Sequence, residues 1–240
     1  MKTLFLLHGF GVASRVWEPV SYQLSNRYEV LIPDLPGHGE TVVPFSGIRD
    51  AASRLEYVIN EAKLSKLNVV GWSMGGQVAL ELCKLAADKI DSLILLSSTP
   101  AFTSENFEFG YNLAVFNKFQ KGIKKDHEKA MRGFYKLLFS KHEDPSPYLD
   151  LLEGQMPSKR TLLSCMKAMR DEDQREVLPE ISCPVLILSG SDDKICSPQA
   201  SNFMAGAIRG SKLKVFKDAG HALLLTRKKE LIDAIKNFVG

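Results

Sequence analysis

The chain has 240 residues, of which 45% are hydrophobic and 25% are charged. This is the composition of a folded globular protein, and it excludes a disordered, collagen-like or low-complexity chain. The formal net charge of +3 gives no indication of nucleic-acid binding, and no apolar stretch approaches the ~20 residues of a membrane span, so we predict neither nucleic acid nor a membrane as a partner.

Short apolar runs typical of buried strands recur along the chain, each followed by a turn and then by a segment with helical periodicity. Because these runs are largely apolar throughout, they favour a mostly parallel sheet that helices cover on both faces. The predicted class is therefore α/β. The six predicted strands span residues 3–7, 29–32, 67–70, 92–96, 185–188 and 213–216.

The third predicted strand leads into Gly-Trp-Ser-Met-Gly at residues 71–75, which matches the pattern GxSxG, and a helical segment at 77–82 follows. The pattern requires such a strand, turn and helix, because a nucleophilic serine stands in a tight, strained turn that only small neighbours permit. Ser73 is therefore the predicted nucleophile.

The alternation of strands and helices stops after the fourth strand. Residues 101–176 contain several helical patterns and no convincing strand, so we predict a helical cap inserted into a core formed by residues 1–100 and 177–240. Apolar residues of the cap recur largely at helical spacing and form one stripe. The stripe consists of Phe116, Phe119, Ile123, Met131, Phe134, Leu137 and Leu138.

Residues 118–141 carry eight lysines and arginines against two acidic residues. Taken alone, a run of this kind is most often a solvated helix face. The alternative is a docking surface for an acidic partner.

The last two predicted strands are followed by residues that a serine nucleophile needs. A serine hydroxyl requires a base to take its proton, and the base requires an orienting carboxylate. Asp192 and Asp193 follow the fifth strand, and His221 follows the sixth. The order serine, aspartate, histidine is the chain order of α/β hydrolases. We predict a triad of Ser73, Asp193 and His221, with Asp192 as the alternative acid.

Over nearly its whole length the sequence resembles the α/β-hydrolase superfamily. Residues 71–76, 97–102 and 173–175 resemble, more closely, the pimeloyl-[acyl-carrier-protein] methyl ester esterases of biotin synthesis. The stretch His-Gly-Phe-Gly at 8–11 resembles the superfamily's oxyanion loop, so the backbone N–H groups of Phe10 and Met74 are the predicted oxyanion hole. We assign no catalytic role to His8 or His38.

In the esterase family the cap covers an acyl tunnel, and a basic outer surface meets the acidic acyl carrier protein. The resemblance therefore implies two further sets of residues. The substrate contacts are Phe10, Trp72, Ser73, Met74, Phe134, Leu138 and His221. The carrier-docking residues are Lys121, Lys124, Lys125, Lys129 and Arg132. Phe134 and Leu138 fit equally well as ordinary core residues of the cap.

These observations predict a serine carboxylesterase that cleaves the methyl ester of pimeloyl-acyl carrier protein through an acyl-enzyme. The alternatives are a broad small-ester carboxylesterase, a lyase that uses the triad as a base, and a ligand-sensing protein on the same fold. The four cysteines form no CxxC pair and no metal-ligand spacing with the five histidines, so we expect reduced thiols in a cytoplasmic protein, with no metal and no organic cofactor.

Overall fold

A computed structural model describes residues 1–103 and 108–240. Residues 104–107 of the predicted cap lie outside the described residues. The chain forms a six-stranded sheet in the order β2-β1-β3-β4-β5-β6, in which every pair of neighbours is parallel. The strands are β1 (Lys2–Leu7), β2 (Tyr28–Leu31), β3 (Leu67–Trp72), β4 (Ile90–Leu96), β5 (Val185–Gly190) and β6 (Lys212–Phe216).

All six predicted strands are present, and the α/β class is confirmed. The four central strands β1, β3, β4 and β5 are buried almost end to end, because both faces of a parallel sheet are covered. The edge strands β2 and β6 keep exposed positions. Continuous hydrophobicity was therefore the correct signal for the centre of the sheet.

Ten α-helices lie within the described part of the chain, and six of them belong to the stretches before and after the predicted cap. These six are α1 (Glu18–Leu24), α2 (Ile48–Glu61), α3 (Met74–Leu85), α8 (Pro198–Ala207), α9 (Leu223–Thr226) and α10 (Lys228–Val239). Helix α2 buries one stripe of apolar residues and packs on α3. Within residues 1–103 and 108–240, no helix is both long and apolar enough to cross a membrane.

The other four helices lie between β4 and β5, and we call them the cap helices. They are α4 (Leu113–Lys125), α5 (His127–Leu137), α6 (Leu149–Glu153) and α7 (Lys159–Asp171). Asp126 joins α4 to α5 in a single residue: its N–H donates to Gly122 O at 2.8 Å, and its carboxylate accepts the Lys129 N–H at 3.0 Å. This N-cap satisfies a donor that the first turn of α5 would otherwise leave unpaired.

The carboxyl ends of all six strands meet at one edge of the sheet, because the strands are parallel. Ser73 follows β3, Asp193 follows β5 and His221 follows β6. Ligand sites of open α/β sheets form at this edge. The topology therefore brings three side chains that are far apart in sequence to the same side of the molecule.

Candidate active site

Ser73 stands in the turn between β3 and α3 with φ 56° and ψ −122°, a conformation that costs a residue with a side chain about 1–3 kcal/mol. Its N–H donates to Leu96 O at 3.0 Å, and its carbonyl accepts the hydroxyl of Ser98 at 2.8 Å. A Cβ added at Gly71 would lie 2.5 Å from Gly75 O. The glycines of the GxSxG pattern are thus required by close backbone packing around the strained serine.

His221 and Asp193 form a hydrogen-bonded pair beside this turn. The distance from His221 Nδ1 to Asp193 Oδ2 is 2.8 Å, and both side chains are almost fully buried. The other carboxylate oxygen, Oδ1, accepts the N–H groups of Ile195 at 2.8 Å and Cys196 at 2.9 Å. Both oxygens of Asp193 are therefore occupied by donors, which fixes the plane of the carboxylate.

Asp192, the alternative acid, lies elsewhere. Its carboxylate accepts the hydroxyl of Ser191 at 2.9 Å, and its side chain is partly exposed. The turn after β5 thus directs the second of the two aspartates toward the histidine.

Trp72 connects the serine turn to the histidine. Its Nε1–H donates to His221 O at 3.0 Å, and the two ring centroids are 5.5 Å apart. The tryptophan is 2% exposed. It thus holds the backbone of His221 beside the serine turn.

The loop after β1 runs directly beside Ser73. A Cβ added at Gly9 would lie 3.1 Å from Ser73 Cβ, so a larger residue would push the loop away from the serine. Met74 is the first residue of α3, and its N–H is one of the donors that a helix leaves unpaired at its amino end. Within the ranges 1–103 and 108–240, neither the Phe10 N–H nor the Met74 N–H has a hydrogen-bond partner.

His8 shapes the same loop from inside the protein. Its Nδ1 bonds to Gly9 O at 2.9 Å, so Nδ1 carries the hydrogen, and Nε2 accepts the Leu35 N–H at 2.9 Å. Burial, together with the neighbouring ring of His38, lowers the pKa of His8 to about 3. A neutral His8 therefore ties the loop after β1 to the turn after β2.

A cavity of about 310 Å³ lies over Ser73, at the small end of the size range of ligand pockets. Its lining combines residues of the core and of the cap helices and is almost wholly apolar. The described lining residues are Phe10, Ser73, Phe102, Tyr111, Val115, Phe116, Lys118, Phe119, Gly122, Ala130, Phe134, Leu137, Met166, Met169 and Ile195.

Three aromatic rings join the core to the cap at this cavity. The ring centroids of Phe10 and Phe134 are 5.5 Å apart in an edge-to-face contact, and Phe119 stacks on Phe134 at 5.5 Å. Such pairs contribute about 0.5–1.5 kcal/mol each beyond the burial of their area. The predicted contacts at Phe10 and Phe134 thus lie in one cluster beside the serine.

Four other predicted substrate contacts are not among the described lining residues of the cavity: Trp72, Met74, Leu138 and His221. For Leu138 the structure favours the alternative, an ordinary core residue. Its side chain is 1% exposed and packs in the core, whereas the neighbouring Leu137 lines the cavity and is 45% exposed. The reason is that α5 ends at Leu137, and the chain there turns toward the backbone of His221.

Several lining residues were not singled out from the sequence. Met166 and Met169 lie three residues apart on α7, a spacing that places them on one helix face, and Ile195 follows Asp193 by two residues. Helical spacing was the available signal for the methionines. The described residues contain no group of three or more His, Cys, Asp or Glu side chains arranged to hold a metal ion.

The predicted docking lysines are exposed, and no ion-pair partner for them is found in the described part of the chain. They are Lys121, Lys124, Lys125 and Lys129. Arg132 differs from them. Its Nε lies 3.2 Å from a carboxylate oxygen of Glu153, and another guanidinium nitrogen lies 3.7 Å from Glu128. Its charge is therefore partly neutralised within the cap.

A family profile described as the alpha/beta hydrolase fold matches residues 2–228. The chain belongs to this family, and its relatives identify it as a carboxylic ester hydrolase.

Individual relatives narrow the comparison. A pimeloyl-[acyl-carrier protein] methyl ester esterase of Nitrosomonas europaea is 30% identical over 235 residues, which cover 95% of this chain and 92% of the relative. The solved structure of an esterase (EaEST) from Exiguobacterium antarcticum has a TM-score of 0.94 and 27% identity, covering 100% of this chain and 92% of its own. A bromoperoxidase from Bacillus anthracis has a TM-score of 0.90 and 25% identity, covering 99% of this chain and 91% of its own.

Proposed function

We propose that this esterase hydrolyses the methyl ester of a pimeloyl chain attached to acyl carrier protein, with Ser73, His221 and Asp193 as its triad. The observation that carries the proposal is one apolar cavity lined by both Ser73 and Lys118. Lys118 belongs to α4, the helix that also bears Lys121 and Lys125. An acyl chain in the cavity would thus leave the protein beside a basic surface suited to an acidic carrier. The printed name of the Nitrosomonas relative points to the same substrate.

In the proposed reaction, Ser73 Oγ attacks the ester carbonyl while His221 Nε2 takes its proton, and Asp193 holds the imidazole through Nδ1. The N–H groups of Phe10 and Met74 stabilise the negative charge on the former carbonyl oxygen, where the loss of one such donor costs about 3 kcal/mol. His221 then gives the proton to the leaving methoxide, which departs as methanol. A water molecule, deprotonated by His221, attacks the acyl-enzyme; the bond from the acyl carbon to Ser73 Oγ breaks, His221 returns the proton to Oγ, and the acid leaves.

The cavity suits an aliphatic chain because its lining offers few polar groups. Each methylene moved from water into such surroundings contributes about 0.8 kcal/mol. Residues 101–176, as the proposed cap, supply most of the lining and exclude water from the ester. Chain length thus controls binding, whereas the catalytic groups stay the same for every ester.

Substitutions of Phe134 and Leu138 should have different effects, the first on substrate binding and the second on the stability of the fold. Phe134→Ala should raise KM for a seven-carbon methyl ester about tenfold and leave KM for methyl acetate nearly unchanged. Leu138→Ala should instead lower the free energy of unfolding by about 2–5 kcal/mol without changing either KM. Steady-state kinetics and urea denaturation measure the two effects. An equal rise in KM for both variants would place Leu138 in contact with the acyl chain.

A broad small-ester carboxylesterase is the second candidate, and it is favoured by Arg132, whose charge is paired within the protein and so is less available to a carrier. The salt dependence of kcat/KM distinguishes it from a carrier-dependent esterase. If the lysines steer an acidic carrier, kcat/KM for the carrier-bound ester should fall steeply with ionic strength, while that for a p-nitrophenyl ester stays flat. The double variant Lys121→Gln/Lys125→Gln should lower kcat/KM for the carrier substrate roughly fivefold. The matched control is Lys212→Gln, since Lys212 is an exposed lysine at the amino end of β6. Parallel salt curves for both substrates would exclude carrier docking by this surface.

The decisive assay is the release of methanol from methyl pimeloyl-acyl carrier protein by the purified protein. We expect one methanol per substrate and an intact thioester. Cleavage of the thioester, or turnover of free esters only, would contradict the proposed substrate. Labelling of Ser73 by a fluorophosphonate without turnover of any ester would instead support the ligand-sensing alternative.

A further inference from the structure

The segment that follows α5 contacts the backbone of the histidine loop. Leu138 O accepts two N–H groups, from His221 at 2.7 Å and from Ala222 at 3.0 Å. The hydroxyl of Ser140 donates to Asp218 O at 2.9 Å. Residues 138–143 thus hold residues 218–222 through several bonds, and we call these two segments the clamp and the histidine loop.

Glu143 makes the charged contact of the clamp. Its Oε2 accepts the N–H of Ser140 at 2.8 Å and the N–H of Gly220 at 2.9 Å. Hydrogen bonds to an ionised acceptor are about twice as strong as those between neutral groups. Gly220 is the residue directly before His221, so one carboxylate oxygen connects the clamp to the backbone that carries the proposed base.

The two segments are in direct backbone contact. A Cβ added at Gly220 would lie 2.6 Å from Ser140 N and 2.7 Å from Leu138 O. Arg227 contacts the start of the histidine loop, because it donates to Lys217 O at 3.1 Å and to Asp218 O at 3.5 Å. The histidine loop therefore has little room to move as long as Glu143 accepts the Gly220 N–H.

The second oxygen of Glu143 indicates that the contact with Gly220 serves more than stability. Oε1 is buried and has no hydrogen-bond partner within residues 1–103 and 108–240, and an unpaired buried polar atom is unfavourable. We infer that Glu143 is a positioning residue: through Gly220 it fixes the histidine loop so that the imidazole of His221 stays aligned with Ser73. The inference rests on the proposed role of His221 as the base.

Two substitutions of Glu143 test the inference. Glu143→Ala removes the acceptor, and a shift of the imidazole by about 1 Å is expected to lower kcat on the order of tenfold to hundredfold. KM should change less than about twofold, because Glu143 does not line the cavity. Glu143→Gln keeps one oxygen that accepts both N–H groups, so its kcat should stay near that of the wild type. The substrate is a short methyl ester, which needs no carrier.

Asp144→Ala is the matched control. Asp144 is the next carboxylate of the chain, is exposed, and accepts the Ser146 N–H within its own turn, so kcat should not change. If Glu143→Ala does not fold, Ser140→Ala removes the hydroxyl that donates to Asp218 O and accepts the His142 N–H, and it should lower kcat about fivefold. Wild-type kcat in the folded Ala variant, or equal losses in the Gln and Ala variants, would overturn the inference.

Amide hydrogen exchange gives a readout that does not depend on activity. Loss of the Glu143 acceptor should speed exchange at Gly220, His221 and Ala222, whereas Glu143→Gln and Asp144→Ala should leave it unchanged. Unchanged exchange in Glu143→Ala would refute the positioning role even if the protein hydrolysed no ester. Absence of ester hydrolysis with the expected exchange pattern would instead refute only the proposed function.

Discussion

Ser73→Ala is expected to lower kcat for ester hydrolysis by about 10⁶-fold, the scale of loss seen when a triad nucleophile is removed. The reason is that no acyl-enzyme can form, while the Phe10 and Met74 amides and the cavity remain to bind the ester. KM should therefore change little. Methanol release under saturating substrate measures the effect, and the variant should also fail to react with a fluorophosphonate.

The matched control for this prediction is Ser98→Ala. Ser98 is a buried serine whose hydroxyl donates to Ser73 O, so its loss removes one hydrogen bond, worth about 1 kcal/mol, and no reacting group. Activity should fall about fivefold at most. Comparable losses in both variants, or near-wild-type turnover by Ser73→Ala, would contradict the assignment of the nucleophile.

Helix α5 links the cavity to the two loops that carry the proposed base and the proposed oxyanion donor Phe10. Phe134 and Leu137 line the cavity, the hydroxyl of Tyr135 donates to Gly11 O at 2.6 Å, and the carbonyl of Leu138, one residue beyond the helix, holds His221. Gly11 follows Phe10, the proposed oxyanion donor. A substitution that displaces α5 should therefore shift the proposed base and the proposed oxyanion loop together, and so affect kcat as well as KM.

The sequence was sufficient to predict the sheet and the edge of the sheet at which the predicted site residues lie. The central strands are continuous apolar runs, which is a strong local signal. Once those strands are parallel, the residues after β3, β5 and β6 must share one edge of the sheet. Ser73, Asp193 and His221 could thus be placed at one edge of the sheet without any knowledge of side-chain positions.

Side-chain partners could not be predicted, because they depend on contacts between distant segments. Glu143 and Gly220 are 77 residues apart, and Arg132 and Glu153 are 21 residues apart, with no periodicity to connect either pair. The distinction between Leu137 and Leu138 depends on the residue at which α5 ends, and helix ends are the least certain feature of a sequence pattern.

Asp192 and Asp193 are neighbours in the sequence and differ only in their contacts in the folded protein. Asp193→Asn should lower kcat by about 10⁴-fold, whereas Asp192→Asn should leave it nearly unchanged. Both side chains keep their size in this pair of variants, so stability should change little for Asp192, which is partly exposed. Only the contacts of the two carboxylates differ.

The expected loss in Asp193→Asn follows from the hydrogen bonds of the carboxylate. Oδ1 accepts the N–H groups of Ile195 and Cys196, so an asparagine must place its oxygen there and turn its NH₂ group toward His221 Nδ1. Two donors cannot share a hydrogen bond, so Nδ1 loses its hydrogen and Nε2 carries it instead. That tautomer cannot accept the proton of Ser73. Single-turnover kinetics should therefore show a slow acylation step, and an equal loss in Asp192→Asn would indicate that the acid is not Asp193 alone.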